Sequence, residues 1–215
     1  GRKNMNDSCL AILAGGDGKR LGYYKPLMNL NNKKLIVYTL DNLGPYFNSI
    51  ILVVKNSAQK ELLISSINEA IDKYNVEVVV DKVNLNGPIA GLVTAVDYCN
   101  MKLLAIAPSD TPFIKFSVYK HLGDYVINQN YEAAVPAWPN NYIEPLISIA
   151  VRDKIAQVLN KNIHGGKLRI RDVYAEMHTA YVNVHYLSRN PDLEFFNINN
   201  NEDLELARRI ISQLN

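Results

Sequence analysis

The residues best suited to chemistry follow the first apolar run of the chain. Residues 9–13 are predicted to form a buried strand, and the segment at 13–26 reads Leu-Ala-Gly-Gly-Asp-Gly-Lys-Arg-Leu-Gly-Tyr-Tyr-Lys-Pro. Glycines allow backbone N–H groups to approach a phosphate closely, and Arg20 and Lys25 can neutralise its charge. The glycine spacing fits neither a Walker A loop nor Gly-x-Gly-x-x-Gly. The segment therefore predicts a phosphate loop of a third kind, although a tight strand-to-helix connection also uses glycine.

Four apolar runs predict the strands that position this loop. Each run is apolar along its whole length rather than at alternate positions, and helical patterns separate the runs. Such strands are buried on both faces, which is typical of a mostly parallel sheet in a three-layer α/β/α fold. The predicted strands are 9–13, 50–54, 76–80 and 103–107, with helices at 34–43, at 57–74 and ending near residue 96.

The second half of the chain has a less regular pattern. Its connector at 137–144 contains Trp138, the single tryptophan. The predicted elements here are strands at 133–136, 145–150 and 194–199 and helices at 151–159 and 168–177. A final helix is predicted from about Asn201, with Asn200 as its cap and an inner face of Leu204, Ala207, Ile211 and Leu214.

Polar residues follow the later strands of the first half. Asn56 and Asp81 come after the second and third strands, and Asp110 comes after the fourth. Ligands of parallel sheets bind outside the carboxyl ends of the strands, so these residues are expected at one edge. Pro108 and Pro112 stiffen the segment around Asp110, whose carboxylate could hold a divalent cation on triphosphate oxygens. The alternative is an aspartate in an ordinary turn.

A second glycine-containing segment precedes the helix that ends near residue 96. Gly87, Pro88 and Gly91 would allow the backbone to lie close to a ligand at the start of a helix. A simple helix entry without a ligand is the alternative interpretation.

Four motifs resemble those of the molybdenum cofactor guanylyltransferases, a family of nucleotidyltransferases. The segment from residue 13 is similar to Leu-Ala-Gly-Gly-x-Gly-x-Arg-Leu/Met-Gly-x-x-Lys-Pro-Leu, and 86–92 is similar to the family's Gly-Pro-x-x-Gly motif. Segment 107–113 resembles Leu-Pro-x-Asp-x-Pro-Phe, and 196–204 resembles Asn-Ile-Asn-Thr-x-Glu-Asp-Leu. The resemblance covers nearly the whole chain. It implies a Rossmann-like nucleotidyltransferase fold with a mostly parallel mixed sheet, as one domain over 1–215.

The resemblance also implies roles for individual residues on the nucleotide side. Asn56 and Asp81 lie where the family makes further nucleotide contacts, and a buried carboxylate there would distinguish guanine from adenine through the guanine N1 and 2-amino groups. The sequence does not decide between these two residues. The implied catalytic residues are Arg20, Lys25 and Asp110. The implied nucleotide-binding residues are Leu13, Ala14, Gly15, Gly16, Lys25, Asn56, Asp81, Gly87, Pro88, Gly91 and Asp110.

The metal and the acceptor are assigned by the same resemblance. Mg²⁺ would lie on Asp110 and Asn199, and the acceptor would contact Glu144, Pro145, Asn197 and Asn199. Family versions with Gln or Arg differ from this chain at Glu144. Basic residues near a Gly-Gly pair could meet an anionic acceptor or form a solvated face. These basic residues are Lys161, Lys167, Arg169 and Arg171.

The implied activity is transfer of GMP from GTP to the terminal phosphate of molybdenum-bound molybdopterin, with release of pyrophosphate. Other members of the enzyme class would use adenosylcobinamide phosphate, a sugar phosphate, or molybdopterin with CTP. Outside that class, the chain could be a GTP-binding regulatory protein without turnover.

Composition sets further expectations. The chain has 215 residues, of which 48% are hydrophobic and 20% charged, which suits one core, and residues 1–7 are expected to be a flexible or engineered end. A formal net charge of +2 argues against a nucleic-acid or membrane partner. Cys9 and Cys99 are expected to form neither a metal site nor a disulfide, in keeping with a reducing cytoplasm. A monomer is expected, with transient contacts to other cofactor-biosynthesis proteins.

Overall fold

The first half of the chain builds the parallel part of a seven-stranded sheet. A computed structural model describes residues 5–16, 23–83, 85–162, 164 and 168–214. The first-half strands are β1 (Ser8–Leu13), β4 (Ser49–Val54), β5 (Val76–Val80) and β6 (Leu103–Pro108). They pair in parallel in the order β5-β4-β1-β6, so their carboxyl ends share one edge. A separate two-stranded ribbon is formed by β2 (Asn29–Leu30) and β3 (Lys33–Lys34).

The second half completes the sheet with a change of direction. Strand β8 (Ser148–Val151) is antiparallel to β6 and to β7 (Ala133–Ala137), and β7 is parallel to β9 (Thr179–Asn183). The full order is β5-β4-β1-β6-β8-β7-β9. Two reversals restore the original direction, so β7 and β9 end at the same edge as the first four strands. The mixed, mostly parallel sheet that the resemblance implied is confirmed.

Helices cover both faces of the sheet. Alternate residues of β1 serve different layers, because successive side chains of a strand point to opposite faces. Leu10 and Ile12 belong to one core cluster, and Cys9 and Ala11 belong to the other. The longer helices are α1 (Leu35–Leu43), α2 (Ser57–Ser66), α4 (Pro88–Tyr98), α5 (Phe116–Asn128), α6 (Arg152–Asn162) and α10 (Asn201–Leu214). The shorter helices are α3 (Asn68–Lys73), α7 (Ile170–Ala175), α8 (Val184–Leu187) and α9 (Pro191–Glu194).

A third apolar cluster joins the last helix to the segment after the glycine loop. Leu204, Ala207 and Ile211 of α10 pack against Met28 and Leu30 near β2. Ile198, which precedes the helix, belongs to the same cluster. The final helix therefore supports the part of the chain that directly follows Lys25 and Pro26.

Some predicted elements differ from the observed ones. The helix predicted at 57–74 is interrupted at Ile67, whose φ of −129° and ψ of 31° are not helical, and it forms α2 and α3. The strand predicted at 145–150 begins only at Ser148. The strand predicted at 194–199 is wrong, because α9 ends at Glu194 and the backbone N–H of Ile198 bonds to the Asp110 carbonyl (2.9 Å) instead of a strand ladder. The last strand is β9, which the pattern did not reveal.

The ends of the chain show further differences. Asn200 caps α10 as predicted, since its Oδ1 accepts a bond from the Asp203 N–H at 2.8 Å. Leu214 is 70% exposed and does not belong to the inner face. Met5–Asp7 form a short 3-10 helix, and Met5 packs against the core, whereas residues 1–4 lie outside the described part of the chain.

The prediction for the cysteines is wrong. Cys9 in β1 and Cys99, the residue after α4, form a disulfide bond with their Cα atoms 5.9 Å apart. Ninety positions separate them in sequence, and only the packing of α4 on β1 brings them together. The cysteine count therefore gives no support to a reducing compartment. Within the described segments, no helix is both long enough and apolar enough to cross a membrane.

Candidate active site

A pocket of about 610 Å³ lies at the carboxyl edge of the first four strands. The position follows the rule for open α/β sheets, and the volume suits a nucleotide-sized ligand. Nine of the predicted nucleotide-binding residues line it, namely Leu13, Gly15, Gly16, Lys25, Asp81, Gly87, Pro88, Gly91 and Asp110. Asn199 lines it as well, and the other described lining residues are Pro26, Val53, Lys55, Leu85, Asn86, Pro108, Ser109 and Leu146.

Hydrogen bonds fix the start of the glycine loop. The Ala14 N–H donates to the Val53 carbonyl at 2.8 Å, and the Ala14 carbonyl accepts from the Tyr24 hydroxyl at 2.5 Å. A Cβ at position 15 would lie 3.4 Å from the Lys55 backbone nitrogen, which is ordinary van der Waals contact, so the loop passes directly beside the end of β4. Ala14 itself is buried beneath the pocket. Residues 17–22, with the predicted catalytic Arg20, lie outside the described part of the chain.

Lys25 and Asp110 meet across the mouth of the pocket. Lys25 begins a 3-10 helix (Lys25–Leu27), and Asp110 follows β6. The Lys25 Nζ lies 3.0 Å from the Asp110 Oδ2, and the two side chains are 19% and 26% exposed. The sequence motifs that carry these residues are 85 positions apart, yet the structure brings an ammonium and a carboxylate together. Both charges remain accessible to a ligand that enters the pocket.

Asp81 carries an unpaired acceptor in the lining of the pocket, close to Gly15 of the glycine loop. Its Oδ1 is buried and has no hydrogen-bond partner in the described structure. The Asp81 N–H bonds to the Val54 carbonyl at 2.8 Å, which holds the residue at the strand ends. Burial raises the pKa of the Asp81 carboxyl, and a hydrogen bond with Thr94 partly offsets that rise. A buried acceptor without a partner is costly, so a ligand that donates hydrogen bonds there would gain affinity.

The Gly-Pro segment forms the wall beside Asp81. Gly87 has a φ of +76°, a left-handed conformation that side chains other than glycine rarely adopt, and Pro88 begins α4. At Gly91, a Cβ would lie 3.1 Å from Cδ2 of Leu13, so the absence of a side chain lets α4 pack closely on the end of β1. These glycines bring the helix entry and the phosphate loop into one pocket.

Asn56 has a structural task in this fold. Its Oδ1 accepts from the Gln59 N–H at 2.9 Å and thereby caps α2, and it does not line the pocket. Its neighbour Lys55 lines the pocket instead. Gln59 also reaches the loop, since its Nε2 donates to the Gly15 carbonyl at 3.4 Å. The position of Lys55 directly after an apolar strand could have marked it as a pocket residue. No local sequence pattern marks Gln59 or Tyr24 as partners of the glycine loop.

The segment before α10 is fastened to Asp110. The Thr111 hydroxyl donates to the Asn197 side-chain oxygen, and the Ile198 N–H donates to the Asp110 carbonyl at 2.9 Å. Asn197 therefore fixes the segment that follows β6 and does not line the pocket. Asn199 does line the pocket. The backbone N–H of Asn199 is held by Asp203 at 2.8 Å.

Glu144 and Pro145 lie on the other flank, outside the pocket lining, and the lining residue there is Leu146. The Trp138 Nε1 donates to the Glu144 Oε1 at 3.0 Å, and the Glu144 N–H donates to the Pro136 carbonyl at 3.0 Å. Burial raises the pKa of the Glu144 carboxyl. The Trp138 hydrogen bond offsets part of the rise, and the charge of Asp110 adds to it. Glu144 thus orders the connector after β7. Its carboxyl also lies close enough to Asp110 for the two charges to interact.

The chain is similar to known proteins over most of its length. Residues 10–180 match a family described as the MobA-like NTP transferase domain. The chain is 33% identical over 202 residues to a probable molybdenum cofactor guanylyltransferase of Pyrococcus horikoshii, covering 91% of this chain and 96% of that protein. A similarly named protein of Thermococcus gammatolerans is 32% identical over 201 residues, covering 90% and 95%.

A solved structure shows the same architecture. The chain resembles the molybdopterin-guanine dinucleotide biosynthesis protein A of Archaeoglobus fulgidus with a TM-score of 0.79 and 29% identity, covering 95% of this chain and 99% of that one. The similarity therefore extends over both halves of the sheet.

Proposed function

The chain belongs to the MobA-like NTP transferase family, and from that premise we propose that it transfers GMP from GTP to the terminal phosphate of molybdenum-bound molybdopterin, releasing pyrophosphate. The observation that carries this proposal is the lining of one pocket, which combines the glycine loop, the Lys25–Asp110 pair and Asp81 with its unpaired carboxylate oxygen. Relatives named as probable molybdenum cofactor guanylyltransferases support the choice of base and acceptor.

The proposed reaction is an in-line displacement. An acceptor phosphate oxygen attacks the α-phosphorus of GTP, the new P–O bond forms, and the bond to pyrophosphate breaks on the opposite side. A phosphate monoester is already anionic at neutral pH, so no side chain has to remove a proton. Catalysis then consists of positioning and charge stabilisation. The backbone of Gly15 and Gly16, with Lys25 and the sequence-predicted Arg20, would hold the triphosphate.

A divalent cation, which we propose is Mg²⁺, fits the residues at the phosphate end. Within the described segments no group of three His, Cys, Asp or Glu side chains could hold a metal. Mg²⁺ bound with substrate phosphates needs only one or two protein oxygens, and Asp110 and Asn199 both line the pocket. The cation would supply charge neutralisation on the triphosphate. Lys25 would then turn from Asp110 to the phosphate oxygens.

Asp81 is the residue that we propose reads the base. Its free carboxylate oxygen would accept from the N1–H and 2-amino groups of guanine, and adenine lacks that donor pair. The structural task of Asn56 as a helix cap supports Asp81 over Asn56 for this role.

The decisive experiment measures pyrophosphate release from GTP, CTP and ATP with Mg²⁺ and molybdopterin freshly loaded with molybdate. Release with GTP alone, dependent on the acceptor, is the expected result. Release with CTP would contradict the assignment of the base. Tight GTP binding without release would contradict the acceptor and direct attention to cobinamide phosphate, sugar phosphates or a regulatory role.

Two further expectations accompany this function. We propose that the reaction takes place in the cytoplasm, where GTP is available. This proposal rests on the substrate alone, because the disulfide removes the argument for a reducing compartment. We also propose that the chain acts as a monomer with transient contacts to proteins that deliver or receive the cofactor. A gel-filtration measurement at micromolar concentration tests the monomer.

A further inference from the structure

A second cavity lies farther along the same edge of the sheet. It has a volume of about 740 Å³ and is lined by Ala137 at the end of β7, Tyr181 of β9, Ile143 and the start of α7. Arg169, Arg171 and Asp172 supply its charged groups. The size suits a small organic ligand, and the walls combine an aromatic ring, an aliphatic side chain and guanidinium groups.

The charges of this cavity are not all paired. The Asp172 Oδ2 accepts from both the Arg169 N–H (3.2 Å) and the Arg169 Nε (3.3 Å), so these two residues satisfy each other. Arg171 makes no hydrogen bond or ion pair with any residue that the structure describes. Burial raises the pKa of the Tyr181 hydroxyl and the charge of Arg171 lowers it, so the guanidinium lies within electrostatic range of the ring. A guanidinium beside a tyrosine favours a planar ligand with carbonyl or anionic oxygens.

The cavity and the nucleotide pocket lie along the same edge of the sheet. Pro108 at the end of β6 lines the nucleotide pocket, and Ala137 at the end of β7 lines the second cavity. Only β8 lies between these strands, so two strand spacings, roughly 10 Å, separate the two sites. One segment joins them, because Ile143 pairs with Ala137 and lines the cavity, while Leu146 lines the pocket.

We propose that this second cavity binds the ring end of the acceptor, the planar heteroaromatic part remote from its phosphate, with Arg171 donating to a ring carbonyl and Tyr181 packing on the ring. The inference rests on the proposed function for the identity of the acceptor. A molecule whose phosphate lies at Asp110 and whose ring lies about two strand spacings away would occupy both sites at once. Arg171 is then a specificity-determining residue that does not touch the reacting atoms.

The first test uses binding without turnover. The probe is 6-hydroxymethylpterin, which has the ring but no phosphate, and isothermal titration calorimetry measures its binding directly. We expect it to bind the wild-type protein and to bind Arg171→Gln roughly tenfold more weakly. The matched control is Arg209→Gln, which changes an exposed arginine of α10 and should bind as the wild type does. Absent binding to the wild type, or equal affinity of the wild type and Arg171→Gln, overturns the proposal.

The second test separates this inference from the proposed function. With the molybdate-loaded acceptor, Arg171→Gln should raise the acceptor KM about tenfold, leave kcat at saturation within about twofold, and leave GTP affinity unchanged. An unchanged acceptor KM in a variant that still transfers GMP overturns the role of Arg171 alone. A wild-type protein that binds GTP but transfers nothing to this acceptor overturns the proposed function, while the pterin titration still decides whether the cavity takes the ring.

Discussion

The proposed nucleotide side and the proposed acceptor side of the sheet edge are built differently. On the nucleotide side, four parallel strands end in short segments, and each contributes directly to one pocket. On the acceptor side, an antiparallel strand interrupts the order, and the connector between β7 and β8 is held by side-chain bonds such as Trp138 to Glu144.

This difference separates two ways of making a site. Local sequence is sufficient where a polar residue directly follows a buried strand, because the parallel sheet brings the strand ends together. Long-range packing is required where a residue acts through a partner that is distant in sequence, as Thr111 does with Asn197. We therefore expect changes on the nucleotide side to abolish chemistry and changes on the acceptor side to reduce it.

The largest effect is expected from the charged pair. Asp110→Asn and Lys25→Met should each lower the rate of GMP transfer by about 10²–10³-fold, because each removes charge stabilisation of the transferring phosphoryl group. Stability should change little, since a partly exposed ion pair contributes at most about 1 kcal/mol. Steady-state kinetics and thermal melts measure the two quantities. Glu205→Gln breaks an exposed ion pair with Arg208 and serves as the control. Wild-type turnover in either pair variant would contradict the site assignment.

The next effect concerns the covalent link between β1 and the end of α4. Reduction of Cys9–Cys99 should lower the free energy of unfolding by about 4 kcal/mol, because a loop of 90 residues is no longer closed in the unfolded chain. The melting temperature should fall by about 10 °C. Melting with and without reductant measures this, and Cys99→Ser should be insensitive to reductant. A wild-type melting temperature that reductant does not change would show that the bond adds nothing to the nucleotide side.

A smaller effect is expected at the base. Asp81→Asn should reduce the preference for GTP over ITP by about 10–100-fold, because ITP lacks the 2-amino donor and Asn cannot accept from both donors. Competitive binding of the two nucleotides measures the ratio. Without nucleotide, the variant should be as stable as the wild type or slightly more stable, since it loses a buried unpaired carboxylate.

The same ratio should depend on pH in the wild type. Burial raises the pKa of Asp81, so the carboxyl gains its proton at a higher pH than an ordinary aspartate. The preference for GTP should be complete above that pKa and be lost as the pH falls through it. Asp81→Asn should show a flat ratio, and a flat ratio in the wild type would argue against Asp81 as the reader of the base.

The smallest effect is expected where the two sides meet. Asn197→Ala and Thr111→Val remove the same hydrogen bond, and each should lower kcat about tenfold with GTP affinity unchanged. The double variant should be no worse than either single one, because the interaction is shared. Additive losses in this double-mutant cycle would show that Asn197 acts on the acceptor directly, as the family resemblance implied.

The strands that end at the first pocket could be predicted from the sequence because their signals are local. Strands β1, β4, β5 and β6 coincide with the apolar runs, Asp81 follows β5 directly, and Asp110 follows β6 after Ser109. The glycine segments line the pocket, and the structure gives a physical reason for Gly87, whose left-handed φ other residues rarely adopt.

The remaining features depend on packing that the sequence does not show. Cys9 and Cys99 meet only because α4 lies on β1, and the strand predicted at 194–199 is an irregular segment because it bonds to Asp110 rather than to a neighbouring strand. Asn56 follows a strand as Asp81 does, yet its oxygen caps α2. Position after a strand places a residue at the edge of the sheet, but it does not decide which group the side chain will bind.

The last helix has a consequence for how the protein is made. Helix α10 packs on the segment after Lys25, and the residues before it bond to Asp110 and Thr111, so both members of the charged pair depend on residues 197–211. A ribosome synthesises these residues after every strand of the sheet. A nascent chain that already carries all seven strands therefore still lacks the groups that hold Lys25 and Asp110 in place. The charged pair gains its support only when residues 197–211 have also left the ribosome.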